Sequence, residues 1–249
     1  MLRCLAWAGV GTGFIFLMTA LGAALVFFFA GEIRPRVKSG MMGFAAGVMM
    51  AASVWSMLLP SIERAESAGF ALSWLPAAVG IITGAGFLML LDEIIARSRG
   101  FSSRGAPPLL ITAVTVHNIP EGMAVALACA LGANGDGAAG AAALALGIGI
   151  QNFPEGAAVS LPLRQLGMGR RRAFGYGVLS GAVEPAFGLL AVLAAASAQS
   201  AMPWLLGFAA GAMLYVCAHE LIPEATGRVG AVGFTGGFLI MMMLDVALG

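Results

Sequence analysis

Residues 117–122 read His-Asn-Ile-Pro-Glu-Gly and residues 151–156 read Gln-Asn-Phe-Pro-Glu-Gly, one six-residue pattern written twice. The first copy sits inside the apolar run from Pro107 to Ala130 and the second inside the run from Gly140 to Leu163. Runs of about 20 apolar residues cross a hydrocarbon core roughly 30 Å thick when helical. Positions three and four apart share one helix face, so His117, Asn118 and Glu121 project together, as do Gln151, Asn152 and Glu155. Successive spans run antiparallel, and two motifs that are both central meet at one depth. The pattern therefore predicts two helices opposed across a polar seam near the bilayer midplane.

The rest of the chain reads the same way. With 60% apolar and 10% charged residues it has too little polar surface for a water-soluble domain. Further apolar runs extend from Ala6 to Phe29, Met41 to Ser61, Leu72 to Ile95, Ala173 to Ala196, Pro203 to Ala225 and Gly230 to Leu248, which with the two above makes eight. The fold class expected is an all-α polytopic membrane protein, one transmembrane domain over residues 1–249. The segments are continuously apolar rather than alternating, which excludes a β-barrel. Arg3 ahead of the first run resembles the start of a signal peptide, but that run is too long for one and is read as a retained first helix. Cys4, Cys129 and Cys217 are odd in number and far apart, so neither a disulfide framework nor a thiolate metal cage is expected. The pairs Gly43/Gly47, Gly80/Gly84 and Gly207/Gly211 have the spacing of close helix contacts.

Basic residues set the orientation, because they accumulate in cytoplasmic loops. Arg34, Arg36 and Lys38 follow the first run, Arg97, Arg99 and Arg104 the third, Arg164 and Arg170 to Arg172 the fifth, and Arg228 the seventh. Only Arg3 and Arg64 fall on the other side, so both termini are expected outside. Losing one span would scatter these charges over both faces. They are orientation signals, and nothing in them points to nucleic acid.

Charges deep in a membrane are costly and mark function. Glu32, Glu63, Glu66, Asp92, Glu93 and Asp136 lie near helix ends and read as interfacial residues, whereas Glu121, Glu155 and Glu184 lie near the centres of their runs. Pro120 and Pro154 lack an N–H and deprive the carbonyls of Val116 and Ile150 of their usual partners, which predicts helices broken at mid-membrane. Glu184-Pro185 repeats that character and supplies a third wall. Imidazole, carboxylates and side-chain amides together suit a borderline divalent metal, zinc above all, and weak amide ligands suit a carrier that must release what it binds. Hydrogen-bond glue between helices explains one amide better than three buried carboxylates, and a proton pathway is the remaining alternative.

His219-Glu220-Leu221-Ile222-Pro223-Glu224 begins like a zinc-protease motif, but Pro223 stands where the second histidine is required, so no enzyme is expected. His219, Glu220 and Glu224 are instead candidates for the metal's exit, and Asp245, near the far end of the last run, for its entrance. Ligands of this kind must be deprotonated to bind.

His117 to Gly122, Gln151 to Gly156 and Glu184-Pro185 occur in the order and spacing of the signatures of the ZIP metal transporters, and the chain resembles that family's bacterial, GufA-like branch over its whole length. The resemblance implies uptake of zinc, with cadmium, iron or manganese as further substrates, into the cytoplasm by alternating access. It implies a binuclear site with His117, Glu121, Gln151 and Glu155 around one metal. Asn118, Glu121, Asn152, Glu155 and Glu184 would surround the other. It also implies an inverted repeat around the fourth and fifth helices, a homodimer in the lipid bilayer, and a place in the plasma membrane, the inner membrane of a bacterium, with both termini on the outer, periplasmic face. Asn152 stands where some relatives have Asp. The 97–105 loop has no histidine, unlike the His-rich loop of many eukaryotic members, so loop-based metal sensing is not expected. A metal exporter and an intramembrane metalloenzyme are the competing readings.

Overall fold

The computed structural model of the protein describes residues 2–29, 34–98, 107–133, 137–197 and 199–248. Glu32, Asp136, Arg99 and Arg104 lie outside the described residues. Those described form helical rods and turns and no strand. The rods are α1 (Leu2–Phe27), α2 (Pro35–Ser67), α3 (Leu75–Ser98), α4 (Pro107–Gly132), α5 (Ala138–Gln165), α6 (Arg170–Ala196), α7 (Met202–Glu224) and α8 (Gly227–Leu248). Each overlaps one apolar run of the sequence.

Among the described residues, α1, α2, α3, α6, α7 and α8 are long and apolar enough to cross a membrane on length and composition alone. α4 and α5 carry the repeated motif, and Val116 to Leu127 on α4 are buried without a break, so that stretch has protein on every side. The outer rods instead expose large apolar side chains, among them Val10, Ile82, Leu90, Val232 and Val246. With no water in a bilayer core, such faces are covered by lipid and the backbone must satisfy itself within helices.

Two sets of helices divide the structure. α2 packs along α8 and α3 along α7, while α1 packs along α5 and α4 along α6, with α1 and α5 also against α4. The glycine pairs lie where close contact was expected: Gly43 and Gly47 on the α8 backbone, Gly80 and Gly84 on that of α7.

The expectation of helices broken at Pro120 and Pro154 is not met, because α4 and α5 run as α-helix straight through both prolines. Each proline forfeits one hydrogen bond, and the apolar surroundings penalise unravelling that would forfeit several more. The true interruption is in α6, where a turn at Ala182 separates Arg170–Gly181 from Val183–Ser197 just ahead of Glu184. Two further irregularities are π-turns, Ser53–Leu58 in α2 and Cys217–Leu221 in α7. Each ends in an i−5 bond, Leu59 N–H to Val54 O and Ile222 N–H to Cys217 O. Pro60 and Pro223 come directly after, and each lacks the N–H that would have met the carbonyl four residues back, Ser56 or His219.

The division into protein-facing and lipid-facing sides is testable on α3. Leu88 is buried and Leu90 is 61% exposed. Leu88→Ala should destabilise by about 2–5 kcal/mol, whereas Leu90→Ala should leave the thermal midpoint of the detergent-solubilised protein almost unchanged.

Candidate metal centre

The two motifs meet as the spacing requires. Gln151 Nε2 on α5 donates to Glu121 Oε1 on α4 at 2.8 Å, across the seam. Asn152 Nδ2 donates to Glu184 Oε1 on α6 at 3.1 Å, so the third wall is in place. Asn118 Nδ2 is anchored by the carbonyl of Ser180, 3.0 Å away on the first half of α6. Asn118, Glu121, Gln151, Asn152 and Glu184 are fully buried, and His117 and Glu155 are each 8% exposed. Glu121, Glu155 and Glu184 are near enough to act on one another electrostatically.

Five buried oxygens in this group have no hydrogen-bond donor: Asn118 Oδ1, Glu121 Oε2, Gln151 Oε1, Asn152 Oδ1 and Glu184 Oε2. Native proteins leave few such atoms, and each demands an explanation. Oxygen acceptors beside an imidazole are the donor set of a divalent cation of borderline character.

One contributor was not foreseen in the sequence. Thr19 Oγ1, on α1, lies 2.9 Å from Glu184 Oε1 and is fully buried. It also lies 3.2 Å from the carbonyl of Ile15, one turn back, the other acceptor within its reach. A threonine in an apolar run carries no local signal, since the pairing spans 165 residues.

His117 also makes a contact that the sequence did not indicate: its Nε2 lies 2.6 Å from Glu220 Oε1 on α7, in the other helix set. Glu220 in turn belongs with His219 and Asp92 to a group whose ligand atoms all lie within 4.8 Å of one another, the metal-sized His/carboxylate cluster found among the described residues. The central set is looser, and much of its donor capacity is amide. Asp92, expected to be merely interfacial, thus joins His219 and Glu220. Tyr215, one turn before His219, stacks on its ring at 5.1 Å and faces Asp92.

A cavity of about 460 Å³ runs from the central residues to Glu220 and Glu224. Of its lining, His117, Glu121 and Glu155 are buried, Glu220 is partly exposed, and Lys38 and Glu224 are about half exposed, which puts the last two at its mouth. Glu224 pairs there with Lys38 at 2.6 Å. Asp245 is apart from all of this: it accepts from Ser56 Oγ at 2.6 Å and lines a separate cavity of about 360 Å³ with Glu63 and Arg64. Its Oδ2 is a further buried oxygen without a donor. Cys129 and Cys217 are buried thiols outside any disulfide, and Cys217 donates to the carbonyl of Ala46.

Residues 102–245 match the ZIP Zinc transporter family, and the chain belongs to it. It is a multi-pass membrane protein of metal-ion transport. Among individual relatives, the zinc transporter ZIP11 of Xenopus tropicalis is 37% identical over 96% of this chain and 96% of its own. The zinc transporter ZIPB of Bordetella bronchiseptica is 36% identical over 98% of this chain and 82% of its own, and the zinc transporter GufA of Myxococcus xanthus is 34% identical over 93% and 94%.

The glycines that end the two motifs have a structural reason. A Cβ on Gly122 would meet the backbone of Glu184, and one on Gly156 the backbone of Thr19. Both helices must approach their neighbours this closely for the side chains to converge. Gly122→Ala and Gly156→Ala should each destabilise by about 1–3 kcal/mol through overpacking and lower zinc retention. Gly13→Ala, at a position with open space around it, should do neither, as thermal midpoints and bound-metal analysis would show.

Proposed function

We propose that the protein takes zinc into the cytoplasm through the seam between α4 and α5, and that the five donorless oxygens are the observation that carries this reading. Oxygens withdrawn from water and given no N–H or O–H partner are stabilised by a cation. His117, Glu121, Gln151 and Glu155 hold one ion, and Asn118, Glu121, Asn152, Glu155 and Glu184 a second, as a binuclear site. Asp245 serves the entrance. His117, which lies against Glu220, hands the ion toward Glu220, His219 and Asp92, and Glu224 lies last on the way out. Cadmium, iron or manganese would use the same ligands.

All eight rods span the bilayer in this reading as one domain, with both termini on the outer face. The cavity supports the orientation: its mouth lies at the end of the molecule that carries Lys38 and Gln165, beside the arginine-rich segments. An inverted repeat is supported by the packing pairs. Exchanging α1 with α6, α2 with α7, α3 with α8 and α4 with α5 turns the α2–α8 pair into α7–α3 and the α1–α5 pair into α6–α4. The two π-turns with their trailing prolines and the two motif glycines exchange in the same way. Alternating access then moves one helix set against the other, in a homodimer in the bacterial inner membrane.

Zinc uptake into proteoliposomes tests the site. His117→Ala and Glu121→Ala should reduce saturable uptake at least about tenfold and remove bound metal from the purified protein, as loss of a ligand or its orienting partner does. Equal uptake by both variants and wild type would sink the reading, and zinc moving only outward from loaded vesicles would make the protein an exporter. Lowering the pH from neutral should weaken zinc retention, because protons compete for the same carboxylates and imidazole. Thr19→Val should weaken zinc retention more gently, through the freed Glu184.

A further inference from the structure

We infer that Lys38 is a tethered counter-ion which competes with the departing metal for Glu224 and so makes the last carboxylate of the cavity its weakest ligand. The inference rests on the transport reading above and adds a residue to it. Six ionisable side chains line the cavity: Lys38, His117, Glu121, Glu155, Glu220 and Glu224. Lys38 is the one permanent positive charge among the described residues that do so, in a passage otherwise built to attract cations. Its ammonium lies 2.6 Å from Glu224 Oε2 and so covers the oxygen on which a metal would settle, at a zinc–oxygen distance of about 2.0–2.2 Å.

Stability does not account for this pair. The side chains are 47% and 51% exposed, and ion pairs so placed contribute little to folding. Yet the backbone around them is held firmly. Ser39, the next residue, is buried and donates to the carbonyl of Thr226 at 2.6 Å, which ties the start of α2 to the turn just beyond Glu224. A Cβ on Gly40 would touch Val229 and one on Gly43 the backbone of Gly230, so the first turns of α2 and α8 are locked together. Lys38 and Glu224 therefore face each other because the chain presents them so.

The consequence follows from the order of the carboxylates. An ion leaving the depth of the cavity meets Glu220 and then Glu224. Were Glu224 free, the mouth would be a trap. With the ammonium on it, a divalent ion gains little by stopping there and is repelled as it passes, so it goes on into water.

Zinc uptake and equilibrium zinc binding, measured on wild type, Lys38→Gln, Lys38→Arg, Glu224→Gln and the Lys38→Gln/Glu224→Gln double variant, test this. Lys38→Gln should bind zinc about threefold to tenfold more tightly and turn over correspondingly more slowly, the effect of removing one competing charge near the surface. Lys38→Arg should behave as wild type. In the Glu224→Gln background Lys38→Gln should change neither quantity in that direction, since the carboxylate it would free is gone. Wild-type affinity and turnover in Lys38→Gln, or the same gain with Glu224 already removed, would overturn the inference. A wild type that moves no more zinc than Glu121→Ala would defeat the transport reading itself, a distinct outcome.

Discussion

Three carboxylates sit deep in a body surrounded by lipid, and the cost of keeping charge and unpaired oxygen away from water governs the arrangement around them. Glu121 and Glu184 are fully buried and Glu155 nearly so. α4 and α5 are placed centrally, where side chains from several helices can reach these groups. Gln151 and Asn152 donate one hydrogen bond each to a carboxylate, and Thr19 lies against Glu184. What they leave is a set of oxygens facing inward with nothing to accept from. Close approach is the remaining requirement, and the glycine at the end of each motif meets it by offering no Cβ to the neighbouring backbone.

The same constraint explains the polar groups on α7. A helix interrupted by Pro223 has a carbonyl at His219 without its usual partner, and the π-turn Cys217–Leu221 absorbs the mismatch. His219 and Glu220 lie within that turn. Both stand beside Asp92 of α3, and Glu220 also lies against His117 of α4. Glu220 thus joins the two helix sets, with one carboxylate facing both the central histidine and the second cluster.

Much of the architecture was legible beforehand for a simple reason: a lipid environment makes local composition decisive. Each helical rod overlaps an apolar run, and the repeated motif placed Glu121, Gln151, Asn152 and, with Glu184-Pro185, the third wall in one neighbourhood. One reading failed: prolines were read as breaks, but one missing N–H costs less in lipid than an unravelled turn, and α4 and α5 stay whole. The grouping of Asp92 with His219 and Glu220 was not legible, because distance along the chain from a helix end says nothing about what stands opposite on α7.

Family membership and the identity of the deep polar residues are properties of the sequence by itself, because they depend on residue type, spacing of three and four, and depth within an apolar run. Pairings between distant parts of the chain were decided by the tertiary structure alone. Thr19 against Glu184, Ser39 against Thr226 and Lys38 against Glu224 are separated by more than 160 residues. No periodicity records them, since each depends on which faces of separate helices turn toward one another once the glycine contacts have set how closely the backbones lie.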